Sequence, residues 1–390
     1  MFRDIPLTLG IEEEYQIVHP VTRDLHSYMK QFLERRHRVM TPSGIKPELM
    51  ESQLEMSSHI CNDIHELRTE IIRMRDIART EAEKNGLIIV AASTHPFAKW
   101  SDQNIMQGDR YSKVLADFKS VAEQLLVFGM HIHIGFGTGY KNQDLMIEIM
   151  NQMRYFLPHI LALSSSSPFW QGRNTGLKSY RSVVFEMMPR SGIPPSFQSY
   201  GEYQKYVDML GEVGSLDHGD NKRPDATKIW WDIRPHPQFG TLEIRVADMC
   251  TDIEDTIAIA ALIQAIVATL LNLRSNNQSW RTYRQHHIME NKWRAVRYGT
   301  QGKLIDFGIS QQVDFGLLTQ EILEIVDPVL DELNIRKEVQ HVQQIVKQGT
   351  SAKQQIDVYE HALKQDNYNH EIALQKVVDH LAYKTVSGLQ

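Results

Sequence analysis

Leu9-Gly10-Ile11-Glu12-Glu13-Glu14-Tyr15-Gln16-Ile17-Val18 is the stretch whose reading decides the fold. Its β-branched and aromatic residues favour a pleated backbone. Side chains alternate across a strand, so Glu12, Glu14 and Gln16 share one face and Ile11, Glu13, Tyr15 and Ile17 the other. Two carboxylates two residues apart on one face repel each other. Taken alone, the simplest account is an acidic strand facing solvent. The alternative is a cation, usually a metal, between the carboxylates.

Three further stretches weigh on that choice. Residues 48–56 read as a second strand with Glu51, Gln53 and Glu55 on one face. Residues 129–137 place His131 and His133 at strand spacing, and residues 240–246 do the same for Thr241, Glu243 and Arg245. An antiparallel sheet often has one solvated face. Such a face usually mixes Lys, Thr and Ser, whereas here carboxylates and imidazoles recur with one arginine. A shared polar cleft is therefore the reading adopted. Carboxylates at this density suit Mg2+ or Mn2+, hard cations that hold polyphosphate. A zinc site on His131 and His133 is the weaker choice, given the excess of Glu and only two cysteines.

The 390 residues allow one large domain or two ordinary ones, and 42% hydrophobic with 23% charged residues is ordinary for a soluble globular chain. A net charge of −6 with one short basic cluster argues against nucleic acid as a partner, but not against phosphate-bearing small molecules. Cys61 and Cys250 are too few for a disulfide framework, so a reducing, cytoplasmic setting is expected. The N-terminus lacks the apolar core of a signal peptide. The longest apolar run, 257–271, is interrupted by Gln264 and reads as a buried helix rather than a membrane span. It is equally compatible with an interface, which leaves a homodimer open.

Further helices are expected over 29–38 (ending in the basic cluster 35–38), from Asn62 or Asp63 to 84, over 110–128, over 145–163 with a kink at Pro158, over 200–210 and over 254–273. Turns or loops are expected at 41–44, 189–195 and 215–223, and strands at 87–92, 183–188 and 229–234. Helices dominate beyond residue 278. This order predicts an α+β fold with one sheet in the first 250 or so residues and a helical C-terminal part.

No G-x-x-x-x-G-K-[ST], complete G-x-G-x-x-G, H-E-x-x-H or G-x-S-x-G occurs. Bound ATP would then be held by metal on a sheet, not by a phosphate loop. Arginines neutralise charge in phosphoryl transfer. The candidates are Arg181, Arg190, Arg234, Arg245, Arg294 and Arg297; Arg245 stands out because it shares a strand face with Glu243. Arg190 lies in a Pro/Gly-bounded loop suited to cover a cleft. Glu290, Asn291, Arg294 and Arg297 fall at helical spacings, either as a functional face or as an exposed polar face with Trp293 packed inward.

Several ordered motifs carry a resemblance. They are Gly10-Ile11-Glu12-Glu13-Glu14, Ser52-Gln53-Leu54-Glu55, Thr94-His95-Pro96-Phe97, Gly129-Met130-His131-Ile132-His133-Ile134-Gly135, Trp231-Asp232-Ile233-Arg234-Pro235, Gly240-Thr241-Leu242-Glu243-Ile244-Arg245-Val246 and Asn291-Lys292-Trp293-Arg294-Ala295-Val296-Arg297-Tyr298-Gly299. Together they resemble the bacterial carboxylate–amine ligases, also called glutamate–cysteine ligase type 2, over residues 7–302. The resemblance implies a glutamine-synthetase-like catalytic fold, a curved and largely antiparallel sheet flanked by helices. It also implies metal ligands at Glu12, Glu14, Glu55, His131 and Glu243, with Arg245 and Glu243 in the catalytic centre. Glu51, His133, Arg190, Arg234, Asn291 and Arg294 are the candidates for substrate or nucleotide contact. Residues 1–302 would form the catalytic domain and 303–390 a helical region packed on it. The implied reaction is ATP- and Mg2+-dependent amide formation through an acyl phosphate, plausibly from glutamate and cysteine. A guanidino-kinase-type phosphotransferase, a nucleotide- or metal-binding regulatory protein without turnover, and a zinc hydrolase remain as alternatives.

Overall fold

The structure is a computed structural model that describes residues 5–36, 45–137, 140–218, 223–365 and 367–389. The expected basic cluster at 35–38, the turn at 41–44 and the middle of the 215–223 loop lie wholly or partly outside those residues. In chain order the main elements are β1 (Leu9–Val18), α1 (Met29–Arg36), β2 (Ile45–Pro47), β3 (Gln53–Ser57), α2 (Ile64–Glu83), β4 (Ile88–Val90), α3 (Asp109–Phe118), β5 (Met130–Gly135), α4 (Tyr140–Met153), α5 (Leu157–Ser164), α6 (Tyr180–Phe185), α7 (Tyr200–Glu212), β6 (Ile233–Pro235), β7 (Thr241–Ile244), α8 (Ile253–Ser275) and α9 (Gln285–Tyr298). Four C-terminal helices follow: α10 (Phe315–Leu333), α11 (Arg336–Gln348), α12 (Ser351–Gln365) and α13 (His370–Val386).

The seven strands form one sheet in the order β6-β7-β5-β1-β3-β2, with β4 added to the end of β1. Every pairing in it is antiparallel. The opening stretch is the central strand. It is long enough to take β5 on one side and both β3 and β4 on the other. The register sets Glu12 opposite His131, Glu14 opposite Glu55, and Glu243 between His133 and Arg234. The alternation read from the sequence thus becomes a cross-strand constellation.

The other face of β1 meets helices. Ile64, Leu67, Ile71, Met74 and Ala78 of α2 are buried, and Asp63 caps the helix by accepting from the amides of His65 and Glu66. Helix α8 is long and apolar enough to cross a membrane, yet 89% of its most apolar window is buried inside the molecule, against α2, α4, α5, α10 and α11. Gln264, the polar break in its apolar run, donates to the carbonyl of Leu7. Helix α13 packs on β4 and α2, so the C-terminal helices share the body of the sheet.

Glu13 shows why alternation matters. It is fully buried and faces α2, where it forms an ion pair with the equally buried Arg75 (Nη2–Oε1 2.6 Å, Nε–Oε2 3.2 Å) and accepts from the Tyr15 hydroxyl. The same guanidinium donates to the carbonyls of Thr251 (2.6 Å), Cys250 (3.0 Å) and Thr385 (3.4 Å). One cation therefore ties β1, the entry to α8 and the last helix together. In the Thr94-His95-Pro96-Phe97 motif, His95 does a similar job. Its Nε2 donates to the Arg23 carbonyl (2.8 Å), while Nδ1 accepts from the amide of Ala98 (2.9 Å).

Four expectations are corrected. Residues 183–188 are not a strand: α6 covers Tyr180–Phe185, because Ser179 caps it and overrides the β-propensity of Val183 and Val184. The helix expected over 110–128 breaks at Lys119, whose φ of +51° cannot continue a helix. Pro158 does not kink one helix; it sits in the first turn of α5, after the chain has left α4. The strand expected over 48–56 begins only at Gln53, because a turn closed by the Gln53 amide on the Met50 carbonyl (3.0 Å) precedes it.

Two predictions follow from this packing. Replacing Arg75 by Met leaves Glu13 unpaired in the core and is expected to cost about 3–5 kcal/mol in urea unfolding. The double change Arg75→Met with Glu13→Gln should recover part of that loss; a single-variant cost under about 1 kcal/mol would contradict the assignment. His95 generates the second. Burial pushes its pKa from 6.5 down to about 4, against the opposing bond to Arg23. The unfolded chain therefore takes up this proton first as pH falls. Stability is expected to drop by up to about 1.4 kcal/mol per pH unit between 6.5 and about 4. Denaturant midpoints across that window should flatten in a His95→Gln variant.

Candidate active site

The polar face of the sheet forms the floor of a cleft of about 330 Å3. At its centre, Glu12 from β1, His131 from β5 and Glu243 from β7 bring one donor atom each within 4.8 Å of one another. Nδ1 of His131 lies 3.1 Å from Glu12 and 3.9 Å from Glu243. Arg234 grips Glu243 with two bonds (2.7 and 3.2 Å) and is itself fixed by the carbonyls of Thr227 and Ile229. Arg245 donates to the same carboxylate (2.5 Å) and stands 3.4 Å from Nδ1 of His131.

These neighbours set the charge states. Burial opposes ionisation of Glu243, but Arg234 and Arg245 hold its carboxyl well below the usual range. Burial also opposes ionisation of Glu12, yet its carboxyl sits below the usual range because the bond to His131 and the attraction of the His131 and His133 rings together outweigh that burial. Burial, helped by the charge on Arg245, lowers His131 to about 4, so its ring is neutral at pH 7 and one nitrogen can act as a ligand. Two ionised carboxylates beside a neutral imidazole form a donor set that suits a hard divalent cation. The residues present fit that group.

Glu14 and Glu55 stand apart from this trio. They form a second acidic group with Glu48, which comes from just beyond β2. Burial and the charge on Glu55 raise Glu14 to about 7, and burial with Glu55 and Glu14 pushes Glu48 well above its ordinary value. The nearest cation among the described residues is Lys46, 3.1 Å from Glu55 and 3.6 Å from Glu12. Glu14 and Glu48 resist ionisation, and the acidic group they form with Glu55 is short of positive charge, which again fits a cation.

The remaining candidates divide. His133 bonds Thr241 (2.9 Å), and its Nε2 is buried without a partner among the described residues. Glu51 sits in the turn before β3 and does not line the cleft. Arg190 is turned away: its side chain lies over the rings of Phe118 and Trp230 and bonds the Lys228 carbonyl. Asn291 is buried and bonded to both backbone groups of Ile305, a structural role. Arg294 pairs with Glu290 on the surface of α9, where Trp293 is half-exposed rather than packed inward. Sequence reasoning missed Glu48, Lys46, Arg110, His236 and Phe239, all of which line the cleft. Lys46 and Glu48 flank Pro47 at the end of a three-residue strand, too short to show alternation.

Comparisons with known proteins agree with this geometry. The model of the family described as glutamate–cysteine ligase family 2 matches residues 8–380. A protein of Roseiflexus sp. (strain RS-1), provisionally named glutamate–cysteine ligase 2, is 47% identical over 386 residues, which is 99% of this chain and 96% of the relative. Among solved structures, the glutamate–cysteine ligase of Francisella tularensis in complex with AMP has the same fold at 14% identity (TM-score 0.65, covering 99% of this chain and 90% of that one). A bifunctional glutathione synthetase from Pasteurella multocida aligns at 15% identity (TM-score 0.61, 98% of this chain and 53% of that one). The expected glutamine-synthetase-like fold, with an antiparallel sheet, flanking helices and a helical C-terminal part, stands. The chain belongs to glutamate–cysteine ligase family 2, and its reaction class is ATP-dependent formation of a C–N bond.

Proposed function

We propose that the chain joins the γ-carboxylate of glutamate to the amine of cysteine, with Mg2+ as the cation. The observation that carries the mechanism is the central trio Glu12, His131 and Glu243 with two arginines locked onto Glu243. These three residues would hold one ion, and Glu14, Glu48 and Glu55 another. An ion held by these residues would supply positive charge against the phosphates of ATP.

The rest is done by side chains of this chain. Arg234 keeps Glu243 ionised and oriented. Arg245 borders the cleft with its Nε buried and without a partner among the described residues, and so has donors left for phosphoryl oxygens. An oxygen of the substrate carboxylate attacks the γ-phosphorus, the bond to the β-phosphate oxygen breaks, and ADP leaves. The cysteine nitrogen then attacks the acyl carbon, the C–O bond to phosphate breaks, and the nitrogen loses its proton to give the amide and inorganic phosphate. The described lining of the cleft has no Ser or Cys nucleophile, in keeping with catalysis by positioning and charge stabilisation. Both cysteines are buried and unpaired, consistent with a reducing, cytoplasmic setting.

Glu243→Gln and Glu12→Gln are each expected to lower amine-dependent ADP release by about 10²-fold or more in folded protein, with the thermal midpoint close to wild type in Glu12→Gln and lowered in Glu243→Gln, where Arg234 and Arg245 lose their anion. Full activity in either variant would remove the central trio from the mechanism. A coupled ADP screen of paired amino acids and amines, with mass spectrometry of the product, checks the substrates. ADP without an amide would favour a phosphotransferase instead.

A further inference from the structure

Among the described residues five arginines and lysines are buried: Arg75, Arg154, Arg181, Arg234 and Lys292. Four of them face a carboxylate. Arg75 has Glu13 at 2.6 Å, Arg234 has Glu243 at 2.7 Å, Lys292 has Asp232 at 2.7 Å, and Arg181 has Asp248 at 3.9 Å. Arg154 is the exception. It is 1% exposed, follows directly on the end of α4, and makes one side-chain bond, from Nη2 to the Tyr283 carbonyl at 3.3 Å. Its Nε and Nη1 are shut off from solvent and have no partner among the described residues. Burial pushes its pKa from 12.5 down to about 10, and no neighbouring charge acts against that shift. At neutral pH the guanidinium is therefore still charged. A buried charge without a partner is costly, and folded proteins pair such groups with an anion.

The surroundings point the same way. Residues 280–284 cross the end of α4, held by the Trp280 amide on the Gln152 side-chain oxygen (2.6 Å) and by the Tyr283 carbonyl on Arg154. In this segment the indole Nε1 of Trp280 is a second buried donor without a partner among the described residues. The segment also carries Arg281 and Arg284 and no acid. Tyr155, next to Arg154, packs against the rings of Trp280 (5.5 Å), Tyr283 (5.3 Å) and Phe307 (6.2 Å). Asp306, the acid whose charge is felt most at Tyr155, is engaged with the Gly308 amide (2.7 Å). An orphaned guanidinium and an orphaned indole under one aromatic wall are donors for an anion from outside the chain. Because neither touches solvent, the anion that fits is small.

We propose that Arg154 binds a small monovalent anion of the halide class, chloride foremost, which fastens residues 280–284 onto the end of α4. The inference is independent of the ligase reading, since none of these residues lines the catalytic cleft.

The test follows thermal unfolding of the full chain in a chloride-free buffer, with sodium chloride or sodium gluconate added to equal ionic strength. Gluconate is too large for the site. The midpoint is expected to rise by about 2 °C or more between about 1 and 300 mM chloride and to rise less in gluconate. The chloride NMR line should broaden when the folded protein is added. Arg154→Met removes the charge while keeping much of the side-chain volume, and is expected to lose both effects. Equal wild-type midpoints in the two salts, or an unbroadened chloride line, would overturn the inference whether or not the variant folds. A chloride effect that persists in Arg154→Met would overturn the location. A larger midpoint rise with sodium acetate or sodium phosphate than with chloride would overturn the halide assignment.

Discussion

The buried pair between Glu13 and Arg75 is the interaction on which the rest depends. A strand that offers two carboxylates to a cleft must still anchor its back to the core, and here the anchor is also a carboxylate. Its cost is met by a guanidinium that spends its remaining donors on carbonyls from Cys250, Thr251 and Thr385. Because those carbonyls come from distant parts of the chain, one buried cation fixes the rotation of β1 about its own axis. That rotation decides which glutamates face the cleft. A slip of one residue would bury Glu12 and Glu14 and expose Glu13.

With β1 fixed, the cleft is a problem of concentrated negative charge. Glu12, Glu14, Glu48, Glu55 and Glu243 converge on a small volume. The chain resolves it in two ways. At Glu243 two arginines neutralise and orient the carboxylate, so it is ionised and rigid. Around Glu14 and Glu48 it supplies less compensation, and those groups resist ionisation. The first arrangement gives a preorganised site; the second leaves room for a charge from outside. Both are consistent with a family whose reaction handles ATP.

Positioning beyond the sheet comes from small and polar residues. A serine run after α5 and the cap Ser179 converge on Asp248, and this cluster aims Arg181 into the cleft. Local propensity argued for a strand at Val183 and Val184. The cap and the buried aspartate decided otherwise, and the resulting helix is what delivers Arg181.

The strand faces were legible from sequence because a period of two survives whatever packs around it. Glu12, Glu14, Glu55, His131, His133, Glu243 and Arg245 were read that way, as was the exclusion of Glu13 from the cleft. So was the burial of α8, whose apolar run exceeds what a surface helix can carry. Arg190, Asn291 and Arg294 were not legible, because arginines and amides on loops and helices take whichever partner is nearest in space, and Glu51 was not, because the turn before Gln53 breaks the alternation it was read from. Nearness of that kind belongs to the tertiary structure. It turned Arg190 onto two aromatic rings, gave Asn291 to a backbone, and split the five expected ligands into a trio and a second group completed by Glu48. Sequence by itself determined which faces are acidic, since that follows from alternation along one strand. Only the tertiary structure decided which acids meet, because register and the reach of Arg75, Arg181 and Arg234 arise from residues far apart in the chain.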